Sequence, residues 1–266
     1  HMSAVALALV LSSAFVHAWW NARMHAGEDR YATLTISYLV GGVLLLPFAI
    51  IDPPFNAWPL LLASTVAHSG YIWFLAGAYD RGGLATTYPL ARGTAPLLVA
   101  VGGIWFLDQA PTAFLVVGAI LVALGLMLVG GVAFGIGERT AVVMALITGG
   151  FIASYPLVDA KGVSQTGALG FYSVSSLLGV ALLTSITGLG PAQVRSSLGD
   201  GVKVGIASAT AYGLVLLAYT RGDAANIATL RATSILFGLA LVPRTLTRRL
   251  VVGAVLVVAG AVLVAV

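Results

Sequence analysis

The sequence contains no cysteine and very few charged side chains. Without cysteine, the chain can form no disulfide and no thiolate metal site, and it has no thiol nucleophile. Charged residues make up 8% of its 266 residues, whereas soluble domains carry about a quarter. Nine acidic and thirteen basic side chains are too few to cover the water-exposed surface of a chain of this length. These shortages exclude a soluble enzyme and a nucleic-acid-binding protein.

Apolar sequence is abundant instead. Hydrophobic residues make up 59% of the chain, and the mean hydropathy is +1.02. A helix needs about 20 apolar residues to cross the hydrocarbon core of a bilayer, and ten such runs are separated by short loops. We therefore predict an all-α membrane protein with ten transmembrane helices. The predicted spans are 3–22, 31–50, 58–79, 84–106, 112–131, 140–158, 168–187, 202–219, 224–242 and 249–266.

The distribution of Lys and Arg among the loops predicts the orientation in the membrane. Counted along the chain, the even-numbered loops hold only Lys161 and Arg221. Loops rich in Lys and Arg stay in the cytoplasm, so we expect both termini on the periplasmic side of a bacterial inner membrane. The basic residues of the odd-numbered loops are Arg23, Arg30, Arg81, Arg139, Arg195, Lys203, Arg244, Arg248 and Arg249.

Short polar elements of the sequence occur twice. Because five helices per copy is an odd number, the second copy enters the membrane upside down relative to the first. We predict a 5+5 inverted-topology repeat with halves 1–137 and 138–266, an architecture typical of secondary transporters with a site at the midplane. The chain has no Walker motif for ATP. The matching elements are 78–83 with 218–223, 90–94 with 229–233, and 15–19 with 151–155.

Arg92 and Arg231 are matching residues of the two halves, and both lie inside predicted helices. An Arg at the centre of a span costs roughly 2.5–3.5 kcal/mol and usually faces a polar cavity. The pair could present bidentate donors to a carboxylate or phosphonate. Alternatively, each could bond backbone carbonyls freed in a helix that Pro89, Gly93 and Pro96 kink or unwind. The other predicted substrate-binding residues are Tyr88, His17, Trp20, Tyr155, Thr94 and Ser234.

Three residues are candidates for coupling transport to protons: His17, His68 and Asp159. Imidazole titrates near neutral pH, although either histidine could equally serve as a hydrogen-bonding group between helices. Asp159 follows the predicted sixth span and has Lys161 beside it, which is also the pattern of an interfacial acid. Because no carboxylate lies deep in a predicted span, the sequence argues against a simple acid-based proton antiport.

Several strings resemble the EamA-type branch of the drug/metabolite transporter superfamily, and the resemblance covers essentially the whole chain. The most specific string is Tyr-Pro-Leu-Ala-Arg-Gly-Thr-Ala-Pro at 88–96; His-Ala-Trp-Trp-Asn-Ala at 17–22 and Leu-Arg-Ala-Thr-Ser at 230–234 support it. The resemblance implies a ten-helix secondary transporter of small metabolites. Relatives often carry an acidic residue where this chain has Ala232.

The function predicted from these features is the transport of a small anionic or zwitterionic metabolite, such as an amino acid or a phosphonate-like compound, by alternating access. Two alternatives are a carrier of organic cations such as choline, bound by aromatic rings, and a lipid flippase or scramblase. No catalytic constellation indicates an enzyme. We expect no cofactor or metal, a monomer or weak homodimer, and only the substrate and membrane lipid as partners.

Overall fold

The computed structural model describes residues 2–25, 29–82, 84–130, 139–241 and 247–266, without the side chains at 24, 25, 76–90, 139 and 141. The elements in these ranges are all helical, which confirms the all-α prediction. The α-helices are α1 Ala4–His25, α2 Arg30–Leu44, α3 Leu46–Ile51, α4 Trp58–Gly82, α5 Leu84–Phe106, α6 Ala113–Gly130, α7 Arg139–Val163, α8 Ala168–Thr187, α9 Pro191–Tyr219, α10 Ala224–Arg231, α11 Ser234–Leu241 and α12 Arg248–Ala265, with a 3₁₀ turn at Pro54–Ala57.

Seven segments of the described chain are long and apolar enough to cross a membrane by length and composition. Their outward surfaces carry many exposed Leu, Ile, Val, Phe and Trp side chains, as expected for helices solvated by lipid. The count of ten spans therefore stays a prediction. The seven segments are Ala4–Arg23, Ala113–Gly130, Val142–Val163, Ala168–Thr187, Pro191–Tyr219, Ala224–Leu241 and Arg248–Ala265.

Two of the predicted spans consist of two shorter helices each. The span 31–50 breaks at Leu45, between α2 and α3, where Pro47 lies in the first turn of the new helix. Proline lacks an N–H and disfavours helical geometry at the residue before it. The span 224–242 breaks at residues 232–233, between α10 and α11. There the N–H of Thr233 bonds the carbonyl of Leu230, three residues back rather than four.

Helix α5 does not unwind where its sequence predicts. It runs unbroken from Leu84 to Phe106, through both Gly93 and Pro96. Pro96 withholds one backbone donor, and Gly93 lies close to α6, where an added Cβ would be 3.3 Å from the carbonyl oxygen of Ala123. Packing on α6 accounts for the continuity of the helix despite these residues. The interrupted arginine-bearing helix is the one that carries Arg231.

Helices α7 and α9 occupy the centre of the bundle. Helices α4 and α5 pack on α7, α1 and α2 pack on α9, and α6 packs along α12. The α6–α12 contact depends on glycine, because a Cβ at Gly125 would lie 2.6 Å from the carbonyl oxygen of Gly253, and one at Gly260 would lie 2.5 Å from that of Gly118. Small residues permit such close helix packing in membranes. The buried charged side chains Arg92, Asp159 and Arg231 lie inside this bundle.

Candidate substrate site

A cavity of about 90 Å³ lies inside the bundle. A cavity needs only about 10–15 Å³ to hold one water, so this one has room for several waters or a small solute. Its wall combines three arginines and two histidines with tyrosines and serines. The described residues that line it are His17, Trp20, Arg30, Tyr31, Leu34, Ser37, Tyr38, His68, Tyr71, Ile72, Leu75, Arg92, Tyr155, Tyr172, Ser175, Ser176, Ser208, Tyr212 and Arg231.

Three basic side chains from three helices meet in this wall, and we call His17, Arg92 and Arg231 the guanidinium cluster. Their exposed fractions are 3%, 8% and 8%. Arg92 donates a hydrogen bond to Nε2 of His17, while Nδ1 of the same ring lies 3.5 Å from Nη2 of Arg231. The two matching arginines of the sequence repeat therefore approach opposite nitrogens of one imidazole.

The guanidinium cluster has more donors than its own members can satisfy. Arginine offers only donors, and a neutral imidazole offers a single acceptor nitrogen. When Nε2 of His17 accepts from Arg92, its Nδ1 carries the hydrogen and points toward another donor, on Arg231. An oxygen with lone pairs, such as that of a carboxylate or phosphonate, would satisfy both groups at once.

The surroundings of Arg231 reinforce this demand for an acceptor. Its Nη1 donates to the hydroxyl of Tyr155 at 3.2 Å, and its guanidinium carbon lies 5.0 Å from the ring centroid of Tyr212. Its Nε is buried and has no hydrogen-bond partner among the described residues. No carboxylate in the described part of the chain forms an ion pair with Arg231. Among the described residues, its guanidinium is contacted by the rings of Tyr155 and Tyr212, the hydroxyl of Tyr155 and the imidazole of His17.

A second polar group, which we call the acid cluster, consists of His68, Asp159 and Tyr212. Oδ2 of Asp159 accepts a hydrogen bond from the hydroxyl of Tyr212 and lies 3.0 Å from Nε2 of His68. Asp159 is only 1% exposed and lies within α7, which continues to Val163. The described helices therefore bury a carboxylate, contrary to the expectation that no carboxylate lies deep in a span.

Tyrosines separate the two clusters. The ring of His68 stacks on Tyr155 with centroids 4.3 Å apart, and Tyr155 also bonds Arg231. Tyr172 and Tyr212 approach each other at 5.7 Å between centroids. Sequence reasoning missed the lining residues Tyr38, Tyr71, Tyr172 and Tyr212 and the serines of α8 and α9. The signal available for them was a polar side chain in the middle of an apolar run.

The predicted site residues fall into four groups. Arg92, Arg231, His17, Trp20, Tyr155 and His68 line the cavity. Asp159 contacts two lining side chains from behind the wall. Thr94 and Ser234 line neither this cavity nor the smaller one described next; the hydroxyl of Thr94 donates to the carbonyl of Ala91, and Ser234 is buried at the start of α11. The side chain of Tyr88 lies outside the described residues.

A second cavity of about 30 Å³ adjoins the first. Arg92, Tyr155 and Arg231 line both cavities, so these three side chains form the partition between them. The smaller cavity is otherwise walled by apolar and aromatic groups that include Pro156 and Tyr219. A polar partition with space on either side is what a solute would have to cross to pass through the bundle.

Comparisons with known proteins agree with these features. Residues 3–131 match the EamA-like transporter family. One solved crystal structure superposes on 97% of this chain and 96% of its own with a TM-score of 0.77, at 17% sequence identity. At that identity the likeness shows a shared fold alone. None of the curated proteins matches the sequence significantly.

Proposed function

We propose that this chain is a secondary transporter of a small anionic or zwitterionic metabolite, because residues 3–131 match the EamA-like transporter family. The substrate class includes amino acids and phosphonate-like compounds. The observation that carries this proposal is the guanidinium cluster, in which the buried Arg231 has donors that its surroundings leave unsatisfied. A substrate carboxylate or phosphonate would occupy that position.

The ten-helix, 5+5 inverted repeat is part of the proposal, with halves 1–137 and 138–266. Reciprocal packing between the halves supports it. Helix α4 packs on α7 as α9 packs on α1, α5 packs on α7 as α10 and α11 pack on α1, and α6 packs on its counterpart α12. The matching Arg92 and Arg231 reach the same histidine from the two halves. Rocking one half against the other would expose this site alternately to each side.

The positions of the two cavities support an inference about the side of the membrane to which the site opens in this conformation. The larger cavity reaches Trp20, near the end of α1, and Arg30 and Tyr31, at the start of α2. The smaller cavity adjoins Tyr219, at the end of α9, on the other side of the arginines. With both termini periplasmic, the junction of α1 and α2 is cytoplasmic. We therefore infer that the chain is a bacterial inner-membrane protein and that its site communicates with the cytoplasm in this conformation.

The tyrosine-rich wall favours a second candidate, a carrier of organic cations. Tyr31, Tyr38, Tyr71, Tyr172 and Tyr212 all line the cavity, and aromatic faces attract quaternary ammonium groups. Two buried guanidiniums in the same wall would repel such a substrate, which is why we rank the anion first. A lipid phosphate would meet the same arginines, so a flippase is an outcome that the experiment must separate.

The experiment is a thermal-shift panel on the purified protein with amino acids, phosphonates and quaternary amines. A ligand present at a hundredfold excess over its dissociation constant adds about 2.7 kcal/mol to the stability of the folded state. We expect an anionic or zwitterionic compound to stabilise the protein and to lose that effect in Arg92→Ala and Arg231→Ala. Arg221→Ala is the matched control, because Arg221 is exposed and bonds only its own helix end.

Three results would point elsewhere. Stabilisation by quaternary amines alone would favour the cation carrier, and retention of the anion effect in both arginine variants would make the arginines structural. Transport of a water-soluble anion in protein-only liposomes supports the carrier. Movement of labelled phospholipid between leaflets without solute transport would establish the flippase instead.

A further inference from the structure

We propose that the acid cluster of His68, Asp159 and Tyr212 is a proton-binding site, and that its proton moves in the same direction as an anionic substrate. The coupling part of this inference rests on the proposed function, whereas the proton site itself does not. The argument starts from the geometry of the buried carboxylate, continues with its access to the cavity, and ends with the sign of its interaction with the guanidinium cluster.

The carboxylate of Asp159 has room for one proton. Both of its hydrogen-bond contacts are made by Oδ2, with the hydroxyl of Tyr212 and with Nε2 of His68. Its other oxygen, Oδ1, is buried and has no hydrogen-bond partner in the described ranges. A proton passed from His68 to Oδ2 turns Oδ1 into a neutral carbonyl oxygen, so the buried charge that Oδ1 shares without a partner is removed. Carboxylates inside membrane proteins are rare and often belong to proton relays.

His68 connects this carboxylate with the cavity. Its side chain is 17% exposed and lines the cavity, whereas Asp159 is not among the lining residues. Imidazole can accept a proton on one nitrogen and release another from the second. A proton from cavity water would bind Nδ1 of His68, and the proton on Nε2 would pass to Asp159. The histidine returns to its neutral form, and the carboxylate has gained one proton.

The other ionisable groups around the cluster limit which residues can respond near neutral pH. Tyrosines and basic residues from several helices face the same cavity. They are Tyr155 on α7, Tyr172 on α8, Tyr212 on α9, Tyr38 and Arg30 on α2, Tyr71 on α4, Arg231 on α10, Arg92 on α5 and His17 on α1. The adjoining cavity is lined by Tyr219 on α9. In water, tyrosine titrates near 10 and arginine above 12. Carboxyl and imidazole side chains have reference pKa values closer to neutral pH. In this part of the structure they belong to Asp159, His68 and His17.

The sign of the coupling follows from the position of Arg231. Its guanidinium lies over the ring of Tyr212, and the hydroxyl of that ring bonds Asp159. The positive charge of Arg231 therefore favours the charged carboxylate. An anion bound to Arg231 cancels this effect, so that Asp159 takes up a proton more readily. Because linkage is reciprocal, the proton also strengthens anion binding, and the two would travel together.

A cationic substrate would have the opposite relation to the proton. Its charge near the tyrosines would favour the charged carboxylate and so expel the proton. The cation carrier would then exchange its substrate for a proton, moving in the opposite direction. The direction of proton movement thus distinguishes the two substrate classes as well as testing the site.

The proton site can be tested without any substrate. Infrared difference spectra of the purified protein between about pH 3 and about pH 8 follow the carboxyl C=O stretch that appears on protonation, over a range that includes the reference values of a carboxyl and an imidazole. We expect the high-frequency band of a buried acid in the wild type and in Asp200→Asn, whose carboxylate is exposed in a pair with Arg23. We expect it to be missing from Asp159→Asn. Persistence of the band in Asp159→Asn would overturn the proton site.

The coupling is tested in liposomes that enclose a pH-sensitive dye. Methylphosphonate and L-glutamate serve as anionic probes and choline as the cationic probe. With the wild type, we expect entry of an anionic probe to acidify the interior and its affinity to be about tenfold higher at acidic than at alkaline pH. Asp159→Asn should carry the probe without acidification, and Asp200→Asn, whose carboxylate is exposed and lies outside the cavity wall, should keep the acidification.

The outcomes separate the two proposals. Anion transport without proton movement in the wild type overturns the coupling and leaves the carrier intact. Acidification that persists in Asp159→Asn would show that a group other than Asp159 carries the proton. If no probe is transported, the proposed function fails, and the infrared band still decides whether Asp159 binds a proton.

Discussion

The guanidinium cluster and the acid cluster lie in the same bundle but have opposite hydrogen-bonding needs. Arg92 and Arg231 present only donors, and His17 between them can accept from one of the two. In the acid cluster, the donors of His68 and Tyr212 already meet one oxygen of the carboxylate. We propose that an anion from outside the protein binds the first cluster and that a proton binds the second, so that two ligands of opposite charge share one cavity.

The matching sequence elements place one arginine in each half, whereas the histidine and the carboxylate near these arginines have no counterpart in the other half. The alignment of 15–19 with 151–155 places His17 opposite Ala153, so one histidine serves both arginines. Four residues beyond the matched elements, Arg23 stands opposite Asp159. Arg23 lies near the end of α1 and pairs with the exposed carboxylate of Asp200 on α9. Asp159, in contrast, is buried with His68. In the proposed 5+5 repeat, the two halves would therefore share a helical frame and carry different chemistry.

Removal of Arg231 should have the largest effect on this comparison. Truncating one partner of a buried charge pair costs about 2–5 kcal/mol, so the affinity for an anionic probe should fall by at least about thirtyfold in Arg231→Ala. Arg231→Lys keeps the charge but loses the planar fork, and we expect an intermediate affinity. Isothermal titration of the purified protein measures both. Equal affinities in Arg231→Ala and wild type would remove the guanidinium cluster from the binding site.

Replacement of His17 should act on the stability of the empty protein. His17→Leu removes the imidazole nitrogen to which Arg92 donates, and a hydrogen bond to a charged group contributes about 1.5–3 kcal/mol. We expect a lower midpoint of denaturation without ligand, and a larger stabilising effect of an anionic probe, which supplies the missing acceptor. His17→Gln retains a side-chain oxygen and should lose less. A stability unchanged in His17→Leu would show that the imidazole does not serve the arginines.

Much of the frame could be predicted from the sequence, because apolar runs determine where helices form. Breaks within helices were harder. Pro96 and Gly93 signal lost hydrogen bonds and small volume, but the contact of Gly93 with α6 depends on a distant part of the chain. The break after Arg231 has no proline or glycine to announce it. Local signals therefore located the helices better than their interruptions.

The site divides along the same line. Arg92, Arg231 and His17 could be found because charge in an apolar run is costly and thus conspicuous. The depth of Asp159 could not, since its burial depends on His68, 91 residues away in the chain. The lining tyrosines share this difficulty, because a hydroxyl in an apolar run costs less than a charge and stands out less. Pairing across helices is decided by tertiary packing.

Neutralising Asp159 should affect proton dependence more than substrate affinity. At acidic pH, where the wild-type carboxyl carries its proton, Asp159→Asn should bind an anionic probe within a few-fold of the wild type. At alkaline pH the wild type should bind about tenfold more weakly, which corresponds to about 1.4 kcal/mol, while the variant should not change. Titrations at both pH values measure this. A tenfold dependence that survives in Asp159→Asn would exclude Asp159 as its source.

Tyr212→Phe should have the smallest effect and separates the two clusters most cleanly, because this one side chain contacts both. The variant keeps the ring beneath Arg231 and removes only the hydroxyl that donates to Asp159. A hydrogen bond to a charged group contributes about 1.5–3 kcal/mol at most, and His68 still holds the same oxygen. We therefore expect anion affinity at acidic pH to stay within about twofold, since the proton already neutralises Asp159 there, while the pH at which affinity changes moves upward as the carboxylate loses a donor.

Tyr219→Phe is the matched control, since its buried hydroxyl has no hydrogen-bond partner in the part of the chain that is described. If Tyr212→Phe instead weakened anion binding at every pH and left the pH profile in place, the hydroxyl would belong to the guanidinium cluster, and the division between the two clusters would fail.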